Sequence, residues 1–330
     1  MKKNLLIMFL LLIAAAALPF IVSEYGINLA AEICIMAIFA MSLGLIMGYA
    51  GMVSLGHAAF FGIGSYTVTI LGSHLSNFYL LILGSIVLSG LVALITGAIF
   101  IRTSKFYFLM ITLAFGQLLF ALTWQLKDLT GGADGMKISS TMNLGFGDIV
   151  SPLGIYFVMA GAAILVYIFL RFFVHSPAGK IIKGVMENES RMKALGYDPR
   201  IYKLLAYSVS GALAGFSGSL YGYFNLFVSP DLTNWMFSGQ VMIMVIIGGV
   251  GTLIGPAIGA GLFIFLQNFI STYTERWPLI MGLLLVILVI VGKGGIIHWF
   301  ALLRSKIFYR RSQKRMEYAQ NHAQKEEVTN

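Results

Sequence analysis

Charged residues are scarce in this chain. They make up 11% of its 330 residues, against roughly a quarter in an average soluble domain, and that deficit excludes an ordinary soluble fold. Cysteine is rarer still. Cys34 stands alone inside an apolar run, so neither an intramolecular disulfide nor a cysteine metal cluster can form, and its role is packing. No phosphate loop of the form G-x-x-x-x-G-K-[ST], no zinc-ligand spacing and no G-x-S-x-G elbow occurs. The histidines His57, His74, His175, His298 and His322 are scattered, with no second ligand at helical spacing. The chain is therefore read as having no catalytic residues and no metal site, and as not being an enzyme. Its net charge of +9 is assigned to basic residues flanking membrane spans, where they set topology, and not to nucleic-acid binding.

What is abundant is apolar sequence, at 58%. Long runs occupy 5–22, 27–48, 80–101, 106–126, 153–173, 204–228 and 279–292. Most reach the ~20 residues a helix needs to cross ~30 Å of hydrocarbon. Lys2 and Lys3 ahead of the first run, with Ala14 to Ala17 near its end, imitate a secretory signal. The next span follows within a few residues of Val22, so the run reads as a span and not as a cleaved leader.

Pairing spans by the positive-inside rule puts the N-terminus, the turn at 48–51, the turn at 102–105, the loop 174–203 and the C-terminal tail in the cytoplasm. All of the 22 Lys and Arg but Lys127, Lys137 and Arg276 then lie inside. The segment 53–72 has to cross outward as a short helix of small residues. The segment 239–270 has to cross twice or dip in and return, or the tail from Arg304 to Arg315 would end outside; Gly248, Gly249, Gly251, Gly255 and Pro256 interrupt it, and such breakers are tolerated at membrane depth only where protein or water satisfies the freed backbone. The sum is about ten transmembrane or re-entrant helices over 1–303, followed by a basic cytoplasmic tail, 304–330.

Small residues mark helix contacts within a bilayer, where close packing replaces the hydrophobic effect. Gly211, Gly215, Gly218 and Gly222 follow one helix face, and Gly251, Gly255 and Gly259 form a second ladder. Gly48 and Gly51 repeat the spacing of Gly248 and Gly251, a hint of internal duplication. Ionisable residues inside the spans are few: Glu32 near an outer end and His57 near an inner one. Ion-coupled carriers keep such groups as relays, so their scarcity favours an external ATPase. The loop 174–203 carries an N-cap and first-turn signal at Ser176-Pro177, a stop at Leu195-Gly196, and a new cap at Asp198-Pro199. It reads as a single cytoplasmic helix of about five turns over 177–195.

Five blocks carry a family resemblance. The segment 51–67, GMVSLGHAAFFGIGSYT, is similar to the signature of branched-chain amino-acid ABC-transporter permeases. Thr112-Leu113-Ala114-Phe115-Gly116-Gln117 resembles the T-L-A-F-x-Q span of that family. Thr130-Gly131-Gly132-Ala133-Asp134-Gly135 resembles the T-G-G-x-D-G mark of its LivM type, as opposed to the LivH-type sister. Ile247-Gly248-Gly249-Val250-Gly251 with Gly255-Pro256 resembles I-G-G-x-G-x-x-x-G-P. In the cytoplasmic loop, Gly179, Lys180, Glu187, Asn188, Glu189, Ala194, Leu195 and Gly196 occupy positions of the motif G-R-x-x-x-A-x-R-E-N-E-x-A-A-x-x-x-G, with Tyr202 and Lys203 beyond it. Lys180 and Met186 stand where arginine is usual, so the bidentate pairing of an arginine is absent there.

The resemblance implies an all-α integral membrane protein of the ten-helix, vitamin B12-type (type II) importer plan. It would be a permease subunit in the bacterial inner membrane with both termini cytoplasmic, carrying leucine, isoleucine, valine or related small amino acids inward. Similar permeases carry urea or short amides, which is one alternative; an ion-coupled carrier or channel is another. The implied partners are a LivH-type permease, two cytoplasmic ATPases that hold the ATP and magnesium, a periplasmic or lipid-anchored binding protein, and the lipid bilayer. The chain itself needs no cofactor. Gly179, Lys180, Lys183, Glu187, Asn188, Glu189 and Gly196 would form the coupling helix that docks on an ATPase. Ser42, Ser54, His57, Thr112, Gln117 and Ser210 are polar residues on apolar spans and candidates for the path or its gate.

Overall fold

The computed structural model describes residues 22–103, 105–145 and 147–291. Most of the first apolar run, with Lys2 and Lys3, and the tail 304–330 lie outside the described residues. Within them are twelve helices and one two-residue strand pair.

The long apolar runs become long helices: α1 (Glu24–Gly48), α3 (Phe78–Phe100), α4 (Lys105–Gln125) and α6 (Pro152–His175). These four are long and apolar enough to cross a membrane. Their surroundings differ. The most apolar stretch of α1 is 72% buried, whereas those of α3, α4 and α6 are 28%, 17% and 28% buried, so α1 is the central post and the others present lipid-type faces. On α3, Leu83, Leu91, Leu94 and Ile95 point outward while Leu81, Ser85, Ser89, Ala93 and Gly97 point inward at four-residue spacing. That inner stripe meets α9 (Pro199–Asn225), the longest helix.

Between α1 and α3 lies α2 (His57–Gly72). Its 16 residues span only about 24 Å. The crossing expected over 53–72 therefore begins four residues late. Residues 49–56 form a non-helical turn folded against the bundle. The segment expected to cross twice or re-enter at 239–270 is two packed helices, α10 (Trp235–Gly248) and α11 (Gly255–Ser271), followed by α12 (Trp277–Val291). Gly249 and Gly251 in the intervening turn have φ of +109° and +88°, a region that only glycine enters freely. Gly251 thus sits in a turn, not on the helical ladder expected with Gly255 and Gly259.

Local caps fix the remaining boundaries. Asn77 accepts from the Tyr79 and Leu80 amides at the start of α3, and Ser151 accepts from Gly154 at the start of α6. Ser176 caps α7 (Pro177–Glu187) through the Gly179 amide at 3.2 Å, and Asp198 caps α9 through Arg200. The single helix expected over 177–195 is broken. Asn188 is extended (φ −155°, ψ 99°), and its side chain caps a second short helix, α8 (Glu189–Ala194), by accepting from the Arg191 amide at 2.9 Å. An asparagine side chain competes with the helical backbone for its own amides, and here it starts a new helix.

The connections sort to two ends. At one end the turn 49–56, the turn at 101–103, α7, α8 and the turn 249–254 gather: Gly51 meets Met186, and Gly48 meets Gly251. At the other end, the short helix α5 (Lys127–Thr130) and a 3-10 turn, Gly132–Asp134, lead to strand β1 (Met136–Lys137). β1 pairs antiparallel with β2 (Phe227–Val228), which precedes the 3-10 turn Pro230–Thr233. Ser140 also donates to the Tyr223 hydroxyl, and Tyr79 to the Leu144 carbonyl.

Candidate functional site

The turn 49–56 carries the chain back into the bundle before α2 starts. His57, the first residue of α2, meets Ser42, which lies six residues before the end of α1 and so about 9 Å inside it. A helix start at that depth leaves orphan amides that no water can reach. Side chains from distant helices supply acceptors. Ser238 of α10 accepts from the Ala58 amide at 2.8 Å, Thr112 of α4 accepts from the Leu55 amide at 3.3 Å, and Ser54 accepts from Gly56 at 3.4 Å. α4 lies directly on the turn: a Cβ on Gly56 would collide with the Thr112 carbonyl oxygen, and one on Gly116 would come 3.3 Å from the Gly56 Cα.

Beside this start is a buried polar cluster. The Ser42 Oγ donates to the Phe39 carbonyl at 2.7 Å and sits 2.8 Å from His57 Nε2. The Ser210 Oγ of α9 donates to the Ser42 carbonyl and lies 3.4 Å from the same nitrogen. Each hydroxyl has one proton, and both are spent on backbone carbonyls. The imidazole must then donate through Nε2–H to Ser42, which leaves Nδ1 as a bare lone pair. Nδ1 has no partner in the structure. The network thus has an acceptor for one ring N–H only, which assigns the neutral Nε2–H tautomer. Phe39 stacks on the ring with centroids 5.5 Å apart, and Phe60 meets it edge-on at 6.0 Å.

The structure therefore brings Ser42, His57 and Ser210 together and sets Ser54 and Thr112 on the adjoining turn. All five are fully buried, so the arrangement is a closed latch joining α1, α2 and α9, and none of them lines an open passage here. Gln117 is half-buried on α4 and takes no part in these bonds. The sequence did not single out Ser238, Phe39 or Gly56. Ser238 is an ordinary serine on an apolar helix, and nothing in its spacing marks it.

On the segment 177–196, Gly179, Ile182 and Val185 face inward, while Lys180, Lys183, Glu187, Asn188 and Gly196 are exposed. Glu189 is already engaged. Its carboxylate binds the Lys203 ammonium at 2.7 Å and lies 3.9 Å from Lys193. Met186 turns partly inward onto Gly51. A pocket between these two elements is lined by Met52, Ile101, Phe108, Val185, Glu189 and Lys203.

The glycine stripe of α9 serves two neighbours. Gly211 and Gly215 admit Ala93 and Ser89 of α3, Gly218 admits the Phe61 backbone of α2, and Gly222 admits Ile138 and Val68. In the second set, Gly255 packs on the Gly248 and Gly249 carbonyls and Gly259 on the Met244 carbonyl, so Gly248 takes the place in the ladder expected for Gly251. Among the described residues, no group of three or more His, Cys, Asp or Glu is placed to hold a metal ion.

Residues 25–291 match the model of a family described as the branched-chain amino acid transport system / permease component. The chain is 27% identical over 322 residues to the high-affinity branched-chain amino acid transport system permease protein LivM of Salmonella typhimurium, covering 89% of this chain and 75% of that protein, and the same figures hold for LivM of Escherichia coli. It is 24% identical over 287 residues to a probable branched-chain amino acid transport permease protein LivM of Methanocaldococcus jannaschii, covering 74% and 81%. No solved structure matches.

Proposed function

We propose, for a chain that belongs to the branched-chain amino acid transport permease family, the role of LivM-type membrane subunit in an ABC importer that carries branched-chain or related small amino acids into the cytoplasm. The observation that carries this reading is the family match across 25–291, which takes in the apolar helices and the capped segment α7–α8. The assembly is completed by a LivH-type permease, two cytoplasmic ATPases and an external binding protein. The chain lies in the bacterial inner membrane with about ten crossings on the vitamin B12-type plan, and both termini are cytoplasmic.

The geometry supports a mechanical role for this subunit. α7 presents Lys180, Lys183 and Glu187 outward for an ATPase, and its inner face rests on the turn 49–56 through Met186 and Gly51. That turn runs straight into the His57 latch between α1, α2 and α9. A displacement of α7 on ATP binding is thus delivered to the buried start of α2, where two arrangements of the latch would correspond to two open sides of the path. The test is reconstitution. With the sister permease, ATPases, ATP and leucine-loaded binding protein, the complex should accumulate leucine. The single subunit under an imposed proton or sodium gradient should accumulate none, and gradient-driven uptake by it alone would sink the reading.

A further inference from the structure

α4 is the least covered of the four long helices, with 17% of its most apolar stretch buried. One side of it, marked by Phe108, Thr112 and Gly116 at four-residue spacing, is buried in the bundle. The opposite side carries Tyr107, Met110, Ala114, Gln117, Ala121 and Trp124, which follow one another at alternating steps of three and four. All but the half-buried Gln117 are exposed. Steps of three and four set residues in one line along a helix, the line that meets a second helix at a shallow left-handed crossing.

The chemistry of this line differs from that of a face meant for acyl chains. On α3 the outward side chains are large and aliphatic, among them Leu83, Val87, Leu91 and Ile95. On α4 the middle of the line is Ala114, Gln117 and Ala121, and small side chains let another backbone come close. Gln117 lies two residues, about 3 Å, from the midpoint of the helix. Its carboxamide both donates and accepts, yet among the described residues it has no hydrogen-bond partner. Hydrocarbon offers such a group nothing, and leaving it unpaired there is costly. A facing helix with a polar side chain at the same depth satisfies it, as glutamines do between spans. Tyr107 and Trp124 bound the line about 26 Å apart, where aromatic rings settle at the two faces of a bilayer.

We propose that this line is the seam on which the sister permease docks: one helix of that subunit lies along it from Tyr107 to Trp124 and exchanges hydrogen bonds with the Gln117 carboxamide at the middle of the membrane. The inference rests on the importer reading above, in which the LivH-type permease is the neighbour within the bilayer. A lipid chain imposes no register on a helix and pairs with no amide, so neither the spacing of the line nor the glutamine at its centre fits lipid as the occupant.

The test uses the complete transporter in the membranes of cells that make all its subunits. Benzoylphenylalanine placed at Ala114 or Ala121 should, on illumination, give an adduct whose mass is this chain plus the sister permease, and the same probe at Leu91 of α3 should give none. Adducts at the two alanines with a second copy of this chain, within the chain itself, or with lipid only would overturn the seam. Gln117→Leu should weaken the association of the two permeases in detergent about 3- to 20-fold, the range for one interhelical hydrogen bond. The melting temperature of the separated subunit should stay unchanged or rise, since an unpaired amide is gone. Undiminished association in Gln117→Leu would overturn the role of the carboxamide, and should that variant not accumulate, the cross-links decide alone. A wild-type complex that holds no LivH-type subunit would overturn the importer reading itself, whereas one that holds it without an adduct at either alanine overturns the seam alone.

Discussion

Met186 of α7 lies against Gly51, close enough that a Cβ on Gly51 would come 2.9 Å from the Met186 Cγ. Gly51 has φ +68°, so the contact joins the end of α7 to a turn that only glycine adopts at little cost. The methionine fills the space with an unbranched, adaptable side chain.

Gly51→Ala should destabilise the purified subunit by about 1 kcal/mol or more from the positive φ alone, read as a lower melting temperature. Combined with Met186→Ala, the loss should be smaller than the two single losses added, because the shortened side chain makes room for the new methyl. A strictly additive double variant would show that the two residues do not communicate.

Glu187 and Glu189 should separate in experiment. Reversal of the exposed Glu187 should reduce co-purification of the ATPase and leucine uptake while the subunit stays in the membrane. Glu189→Lys should instead cost only about 0.2–1 kcal/mol through its half-exposed pair with Lys203, and the swap with Lys203→Glu should restore it. Loss of ATPase binding in the swapped variant would place Glu189 in the docking surface as well.

His57→Asn and Glu32→Gln should diminish uptake only as far as they disturb packing, with transport still strictly dependent on ATP. His57→Ala should cost about 3 kcal/mol in stability, and more than His57→Asn, since it empties the space between Phe39 and Phe60. Uptake by the variants that follows a proton gradient would favour an ion-coupled carrier.

Orientation is open to labelling once Cys34 is replaced by alanine. A cysteine at Ala133 should react with an impermeant thiol reagent in intact cells, and one at Lys183 should react only after the membrane is opened. Equal reaction of both would refute the sidedness drawn from the positive charges.

Much of this fold was legible because long apolar runs leave the chain few options. The run 27–48 became Glu24–Gly48, 80–101 became Phe78–Phe100, and the Ser176-Pro177 and Asp198-Pro199 signals became caps. The failures are local and have causes. An asparagine at 188 reads equally well as an exposed helical residue, so the break into α7 and α8 was invisible. A glycine at regular spacing does not reveal whether it sits on a helix or in the turn before it, which misplaced Gly251. The latch was out of reach for a different reason: Ser42 and His57 are 15 positions apart and Ser42 and Ser210 168 apart, and no periodicity links them. Each was visible only as a polar residue where apolar ones prevail.

The cap that Ser238 provides for Ala58 comes from 180 positions further along the chain. At a synthesis rate of roughly 5–20 residues per second, the ribosome needs about 9–36 s to deliver it. During that interval α2 has emerged, and the Ala58 amide still lacks the acceptor it has in the finished bundle. The bond that completes the start of this short, glycine-rich helix thus forms only after α10 has been made, and assembly of the bundle ends at the place where its central turn began.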